Sequence, residues 1–390
     1  MKRPVFRDLV PKIVLLVASA LLSLSLAEAV FWVFPGLLPE GTQAKLHWAG
    51  QTGRIYGSRS ADPHFGYLPT PPGSIHPDSA TSEARPPSAE ELWGDRNIEP
   101  WPDQADIVVV GNSMAYSQEV DREEAWTNLL DRALPRSRVV TLGLIGGSPQ
   151  QYLRIYESFG TPLRPKVLLF CLFPGNDPAD ALAFDAWLRS DRELDYPTLR
   201  GSGYRSASKG WAHRILRKSR LFALVDELRM SYREGNLFGG KTLHLASGER
   251  VQLVSRFLHG AAWRARPSRE EFQMVMEILE ETRRSAEARG TKCVVLLFPT
   301  KEEIYLPGLE ENVPSLTGPF ASKLAERGFS FLDLSPVFRE RATDGRALFF
   351  EVDGHPNRLG YALVAEAVLA YLVDHAPEFD PLLPAGALVP

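Results

Sequence analysis

Ile107-Val108-Val109-Val110-Gly111-Asn112-Ser113 is the stretch on which the fold of this chain turns. Four consecutive β-branched apolar residues leave no polar face, so a strand built from them is buried on both sides, as in a parallel sheet covered by helices. Residues 138–142, 166–173, 292–298 and 329–332 repeat the type. Helical patterns lie between them. Asp121-Arg122-Glu123-Glu124 reads as a capping box opening a helix whose Trp126, Leu129, Leu130 and Leu134 share one face; Ser268-x-x-Glu271 opens another with Phe272, Val275, Met276 and Leu279. Alternating strands and helices predict a doubly wound α/β domain, in which ligands sit at the carboxyl ends of the strands.

The residues just past each apolar run are therefore the ones that matter. The first run ends in Gly111-Asn112-Ser113, the second in Gly143-Leu144-Ile145-Gly146-Gly147-Ser148 and the third in Pro174-Gly175-Asn176-Asp177; the last loop is Asp353-Gly354-His355-Pro356-Asn357, before a helix over 359–373. A hydroxyl, glycine amides, a carboxamide, a carboxylate and an imidazole thus gather on one rim, which is the equipment of acyl transfer. Ser113 needs a base to become a nucleophile, and His355, with Asp353 at i−2 to fix its tautomer, can serve. The amides of Ser113 and Gly146 and the side-chain NH₂ of Asn176 are candidate donors to an oxyanion. Each residue also has a plainer reading: Ser113 as a helix cap, Asn176-Asp177 as an Asx-turn, Asp353–Asn357 as turn chemistry. Four such loops on successive strand ends favour the catalytic reading. The G-x-S-x-G elbow of α/β-hydrolases fits poorly, because Ala115 stands where its second glycine would be.

These residues resemble the SGNH (GDSL-type) hydrolases. The likeness rests on Ser113 in block I, Gly146 in block II, Asn176 in block III and Asp353/His355 in block V, across roughly residues 107–372. It implies a flavodoxin-like three-layer α/β/α sandwich with a parallel sheet, catalytic roles for Ser113, Asp353 and His355, and an oxyanion hole of Ser113, Gly146 and Asn176. A finer likeness is to bacterial membrane-anchored SGNH proteins and the alginate O-acetyltransferase-related group, which share the D-x-H spacing and a P-x-K stretch such as Pro299-Thr300-Lys301. Block I departs from the family in reading GNS for GDS, and block V in having one residue rather than two between Asp353 and His355.

The ends of the chain differ from this body. Residues 13–34 carry one charge, Glu28, and as a helix would cover roughly 33 Å, about a bilayer core. Lys2, Arg3, Arg7 and Lys12 precede them and no basic residue follows until Lys45, which puts the N-terminus in the cytoplasm and the rest outside. Ala27-Glu28-Ala29 also has the form of a signal-peptidase site, but the apolar run resumes with Val30 to Phe34 and favours an anchor; Glu28, near the outer end, is placed to face a partner helix. Residues 1–35 thus form a cytoplasmic flank and signal-anchor. Residues 36–103, rich in proline, read as a stalk with His64, Phe65, Tyr67 and Trp93 pinning it to the body, and 104–390 as one SGNH hydrolase-like domain with an insertion over 178–291. In that insertion Trp211, Ile215, Leu216, Phe222 and Val225 with Arg214, Arg217, Lys218 and Arg220 predict a basic amphipathic helix, and Leu243–Leu253 a hairpin around Ser247-Gly248.

Composition excludes several classes. With 390 residues, 44 Lys and Arg against 48 Asp and Glu, and a net charge of −4, there is no basic field for nucleic acid. Cys171 and Cys293 sit in apolar runs and read as buried thiols. No H-e-x-x-H, paired C-x-x-C or phosphate-binding glycine loop occurs, so neither a metal nor a cofactor is expected. The expected function is a single-pass inner-membrane serine esterase or O-acyltransferase facing the periplasm, acting on acyl, foremost acetyl, esters of a polysaccharide or glycan through an acyl-serine intermediate. The expected partners are that substrate, the membrane and other envelope proteins. The alternative is a non-catalytic scaffold or glycan-binding module of an export or polysaccharide-assembly complex.

Overall fold

A computed structural model of the chain describes residues 5–39, 42, 59–69, 87–192, 195–196, 219–233, 241–253, 266–306, 315–351, 353–379 and 382. Prolines 71, 72, 77 and 86, and residues 211–218 of the basic amphipathic stretch, lie outside them. The chain divides into two compact units, Met1–Gly53 with Ser208–Lys241, and Arg54–Ala207 with Thr242–Pro390.

The larger unit is built on five parallel strands: β1 Ile107–Val110, β2 Val139–Thr141, β3 Val167–Leu172, β4 Lys292–Leu297 and β5 Ser330–Asp333, in spatial order β2-β1-β3-β4-β5. Their register pairs Ile107 with Val139 on one side and Val167 on the other, Val167 with Lys292, and Val294 with Ser330. This is the flavodoxin-like order, and its switch point falls between β1 and β3.

Alternation along each strand sends side chains to two separate cores, which is why the runs are apolar throughout. Ile107, Val109, Leu169, Cys171, Val294 and Leu296 pack on one face with Trp126, Leu130, Tyr361, Val364 and Val368. Val108, Val110, Leu168, Phe170, Val295 and Leu297 pack on the other with Tyr152, Phe184, Val275, Leu279 and Phe320. Helices Trp126–Ala133 and Arg358–Asp374 thus cover the first face, and Pro149–Ile155, Asp177–Arg189, Arg269–Glu287 and Thr317–Glu326 the second, making three layers.

The segment read as a stalk contributes to this core. Strands Arg59–Asp62 and Gly66–Pro69 form a hairpin, and Tyr67, Leu92 and Trp93 are buried in the second core. Ser268 and Glu271 form the anticipated capping box, but Asp121 does not cap. Arg122–Glu124 is a lone 3₁₀ turn, Ala125 is extended, and the helix starts at Trp126. The side chains of that turn are engaged elsewhere, Arg122 with Glu99 at 3.0 Å and Glu124 with Arg358 at 3.6 Å.

In the smaller unit, helix Val5–Val33 contains a 23-residue stretch, Pro11–Val33, long and apolar enough to cross a membrane, with its leucines exposed. Glu28 near its end caps a second helix, Arg220–Arg233. Its carboxylate accepts from the amides of Arg220 (2.8 Å) and Leu221 (2.9 Å), from Ser219 Oγ (2.8 Å) and from Trp32 Nε1 (2.9 Å). Arg220 returns the contact, donating to Phe31 O at 2.7 Å with its guanidinium 4.4 Å from the centre of the Trp32 ring.

Candidate active site

β1 delivers Ser113 through a turn that only glycine permits. Gly111 has φ +157, and a β-carbon there would lie 2.6 Å from Cys171 Cβ on the neighbouring β3. Asn112, not Ser113, caps the short helix Ser113–Tyr116, accepting from Met114 N at 2.9 Å. The serine hydroxyl is thereby released from capping and meets His355 Nε2 at 2.7 Å. Trp126 Nε1 donates to Met114 O at 3.0 Å and holds the same turn from the first core.

His355 and Asp353 come from one loop. His355 N donates to Asp353 Oδ1 at 2.7 Å, and its Nδ1 makes a very short contact with the same oxygen. With Nδ1–H directed at the carboxylate, Nε2 is left to accept the serine proton. Both residues are buried. Burial pushes the Asp353 carboxyl up, but the charge and hydrogen bonds of His355 outweigh it, aided by Lys301, and hold it below its ordinary range. Asn357, the last residue of the loop motif, serves the turn chemistry and caps helix Arg358–Asp374 through Leu359 N and Gly360 N.

The third loop departs from simple expectation. Asn176 Nδ2 donates to Asp180 Oδ2 at 2.7 Å, which engages one of its two hydrogens, while its carboxamide oxygen accepts from Asn112 Nδ2 at 3.3 Å. Asp177 is fully buried; it accepts from Asn112 Nδ2 (3.0 Å) and Phe173 N (2.8 Å), and shares the single hydroxyl hydrogen of Tyr152 (2.9 Å) with Gly147 O. A carboxyl group thus stands beside Asn112, on the loop after β3. Burial outweighs the three donors and pushes it up to about 8.

Gly146 adopts φ +63 in the loop after β2. That loop is held by its carbonyls: Trp93 Nε1 donates to Gly143 O at 2.9 Å, Tyr67 OH to Ile145 O at 3.0 Å and Tyr152 OH to Gly147 O at 2.7 Å. In a trans peptide the N–H opposes the C=O, so fixing Ile145 O also fixes the direction of the Gly146 amide. The structure therefore brings Ser113, His355 and Asp353 into one chain of contacts and sets Gly146 and Asn176 on the adjoining strand ends. Tyr67 and Trp93 were expected only to pin the proline-rich segment to the body, and Asp177 only as part of a turn; that they support these loops is a tertiary signal, since no spacing along the chain names their partners. A cleft of about 290 Å³ is lined by Glu119 and Val120 beyond Ser113, by Phe350 and Asn357 beside His355, and by Glu249 and Arg346.

Residues 257–385 match the family model of the SGNH hydrolase-like domain of the acetyltransferase AlgX. Over that span the chain is similar to an SGNH hydrolase-like domain. The matched segment includes β4, β5, Asp353 and His355 and begins beyond Ser113, Gly146 and Asn176, which the shared sheet joins to it. No curated protein matches the chain. Solved structures aligned with it include a member of the lipolytic G-D-S-L family from Veillonella parvula (14% identity, 68% of this chain and 96% of that chain, TM-score 0.36) and a GDSL-like lipase from Bacteroides thetaiotaomicron (9%, 74% and 98%, TM-score 0.34). An acetyl xylan esterase aligns at 11% identity over 68% of this chain and 98% of that chain, with a TM-score of 0.34.

Proposed function

We propose that the protein is a membrane-anchored extracytoplasmic serine esterase or O-acyltransferase that works on acetyl or other acyl esters of a polysaccharide or glycan. The 2.7 Å contact of Ser113 Oγ with His355 Nε2, backed by Asp353, carries this reading. Ser113 Oγ attacks the acyl carbonyl while its proton passes to His355 Nε2, and Asp353 supports the imidazolium. The tetrahedral oxyanion is held by the amides of Ser113 and Gly146 and by the second N–H of Asn176. Collapse expels the alcohol, which takes the proton from His355 and leaves acyl-Ser113. His355 then deprotonates water or a sugar hydroxyl, whose attack frees the serine. Retention of the N-terminal helix as an anchor is supported by Glu28, whose carboxylate caps a helix nearly two hundred residues away, a contact that cleavage after Ala29 would remove.

The decisive experiment is labelling with a serine-directed fluorophosphonate. Wild type is expected to label and Ser113→Ala not to. Labelling that survives Ser113→Ala assigns the nucleophile elsewhere, and a wild type that never labels returns the chain to the scaffold reading. Product analysis with an acetyl-ester donor and glycan acceptors then separates transfer from hydrolysis.

A further inference from the structure

Two buried cations beside the Ser113–His355 contact are directed at main-chain carbonyls. Arg96 is 8% exposed; its Nε donates to Tyr116 O at 2.6 Å, its Nη1 to Val120 O at 3.0 Å and its Nη2 to Ser117 O. Lys301 is 1% exposed, and its Nζ donates to Phe350 O at 3.2 Å, Glu351 O at 3.1 Å and Asp353 O at 2.9 Å. Each triad of carbonyls belongs to one loop: residues 116–120 follow the turn that begins with Ser113, and 350–353 lead into His355. The first loop holds Ser117 at φ +56 and Glu119 at φ +72, left-handed conformations that residues with a β-carbon keep only when their surroundings impose them. Burying a cation is costly, and carbonyls are ordinarily satisfied by neutral donors, so two such clamps on these two loops call for a reason beyond packing.

We propose that Arg96 and Lys301 are positioning residues, which fix from opposite sides the approach of Ser113 Oγ to His355 Nε2. This rests on the reading of Ser113 as nucleophile. An ammonium has three N–H groups for three carbonyls; a neutral amine donates two and turns a lone pair toward the third. Burial lowers Lys301 to about 8, against Glu302 on its own helix and Asp353 and Glu351 on the loop, the charges that face it. Raising the pH through that value leaves two N–H groups for the three carbonyls and so alters the grip on the His355 loop, while the cost of the buried charge is relieved and stability does not fall.

The test measures the fluorophosphonate labelling rate of the full detergent-solubilised chain from pH 6 to 10, with thermal unfolding in parallel. The wild-type rate is expected to fall above about pH 8 while the protein stays folded. Lys301→Met is expected to label about 10- to 100-fold more slowly at pH 7 and to lack that alkaline fall, and Arg96→Lys, whose single nitrogen cannot span residues 116–120, to slow by a similar factor. A variant that labels at the wild-type rate overturns the role of that residue, as does a wild-type rate level to pH 10 for Lys301. A variant that no longer unfolds cooperatively also overturns it, because the residue then supports the whole body and not one loop. Absence of wild-type labelling at every pH overturns the nucleophile reading first and the positioning roles with it.

Discussion

His355 depends on a single oxygen, Asp353 Oδ1, for both its backbone amide and its ring, so the loop and the imidazole are oriented together. Asp353→Asn removes the charge that supports an imidazolium and favours the wrong tautomer. Acyl-ester turnover is expected to fall about 10³- to 10⁴-fold with the fold intact, measured as kcat beside a far-ultraviolet spectrum. The two carboxyls of the site titrate with opposite consequences. Asp353, held below its ordinary range, contributes stability that is present at neutral pH and lost only as the pH falls through its lowered value. Asp177, raised to about 8, is protonated at neutral pH, and its contribution declines as the pH climbs from the unfolded value of about 4 toward 8. The residues that do chemistry were readable because each stands at a strand end in a short polar motif. Arg96 was not, since a lone arginine in a proline-rich run carries no spacing that tells a clamp from a solvated side chain, and Tyr67 was readable as a pin but not as a donor to Ile145 O.

Among elements, β1, β3 and β4 were legible because burial on both faces forces an apolar run, and the Arg269–Glu287 helix because its capping box and apolar stripe agree; β5, at the sheet edge, is only half-buried and carries Ser330 and Asp333. The Asp121 start was misplaced because the same four residue types also form ion pairs with Glu99 and Arg358, and the chain chose those. Glu28 shows the reverse case, a polar residue in an apolar helix whose reason lies on another element. Glu28→Ala is expected to cost the Arg220–Arg233 helix about 0.5–2 kcal/mol, the loss of an N-cap, and to speed amide exchange at Leu221 and Phe222. Unchanged exchange there would show that the cap does not hold that helix.

At the level of the whole molecule, topology across the membrane is tested directly by fusion, extraction and mass. An alkaline phosphatase fused after residue 34 is expected to be active, the chain to resist carbonate extraction, and its intact mass to include residues 5–29. A soluble chain beginning at Val30 would instead establish cleavage. The apolar N-terminal run, the β/α alternation and the order of Ser, Gly, Asn and Asp-x-His are local patterns, and each follows from a rule of burial or spacing that acts within a few residues; the sequence by itself determined the fold class and the candidate chemistry. Only the tertiary structure decided that residues 59–69 and 87–97 brace the strand ends, that Asp177 stands beside Asn112, and that Arg96 and Lys301 grip the two loops whose side chains meet. Hydrogen bonds between residues tens to hundreds of positions apart depend on where the chain returns in space, which no spacing along it encodes.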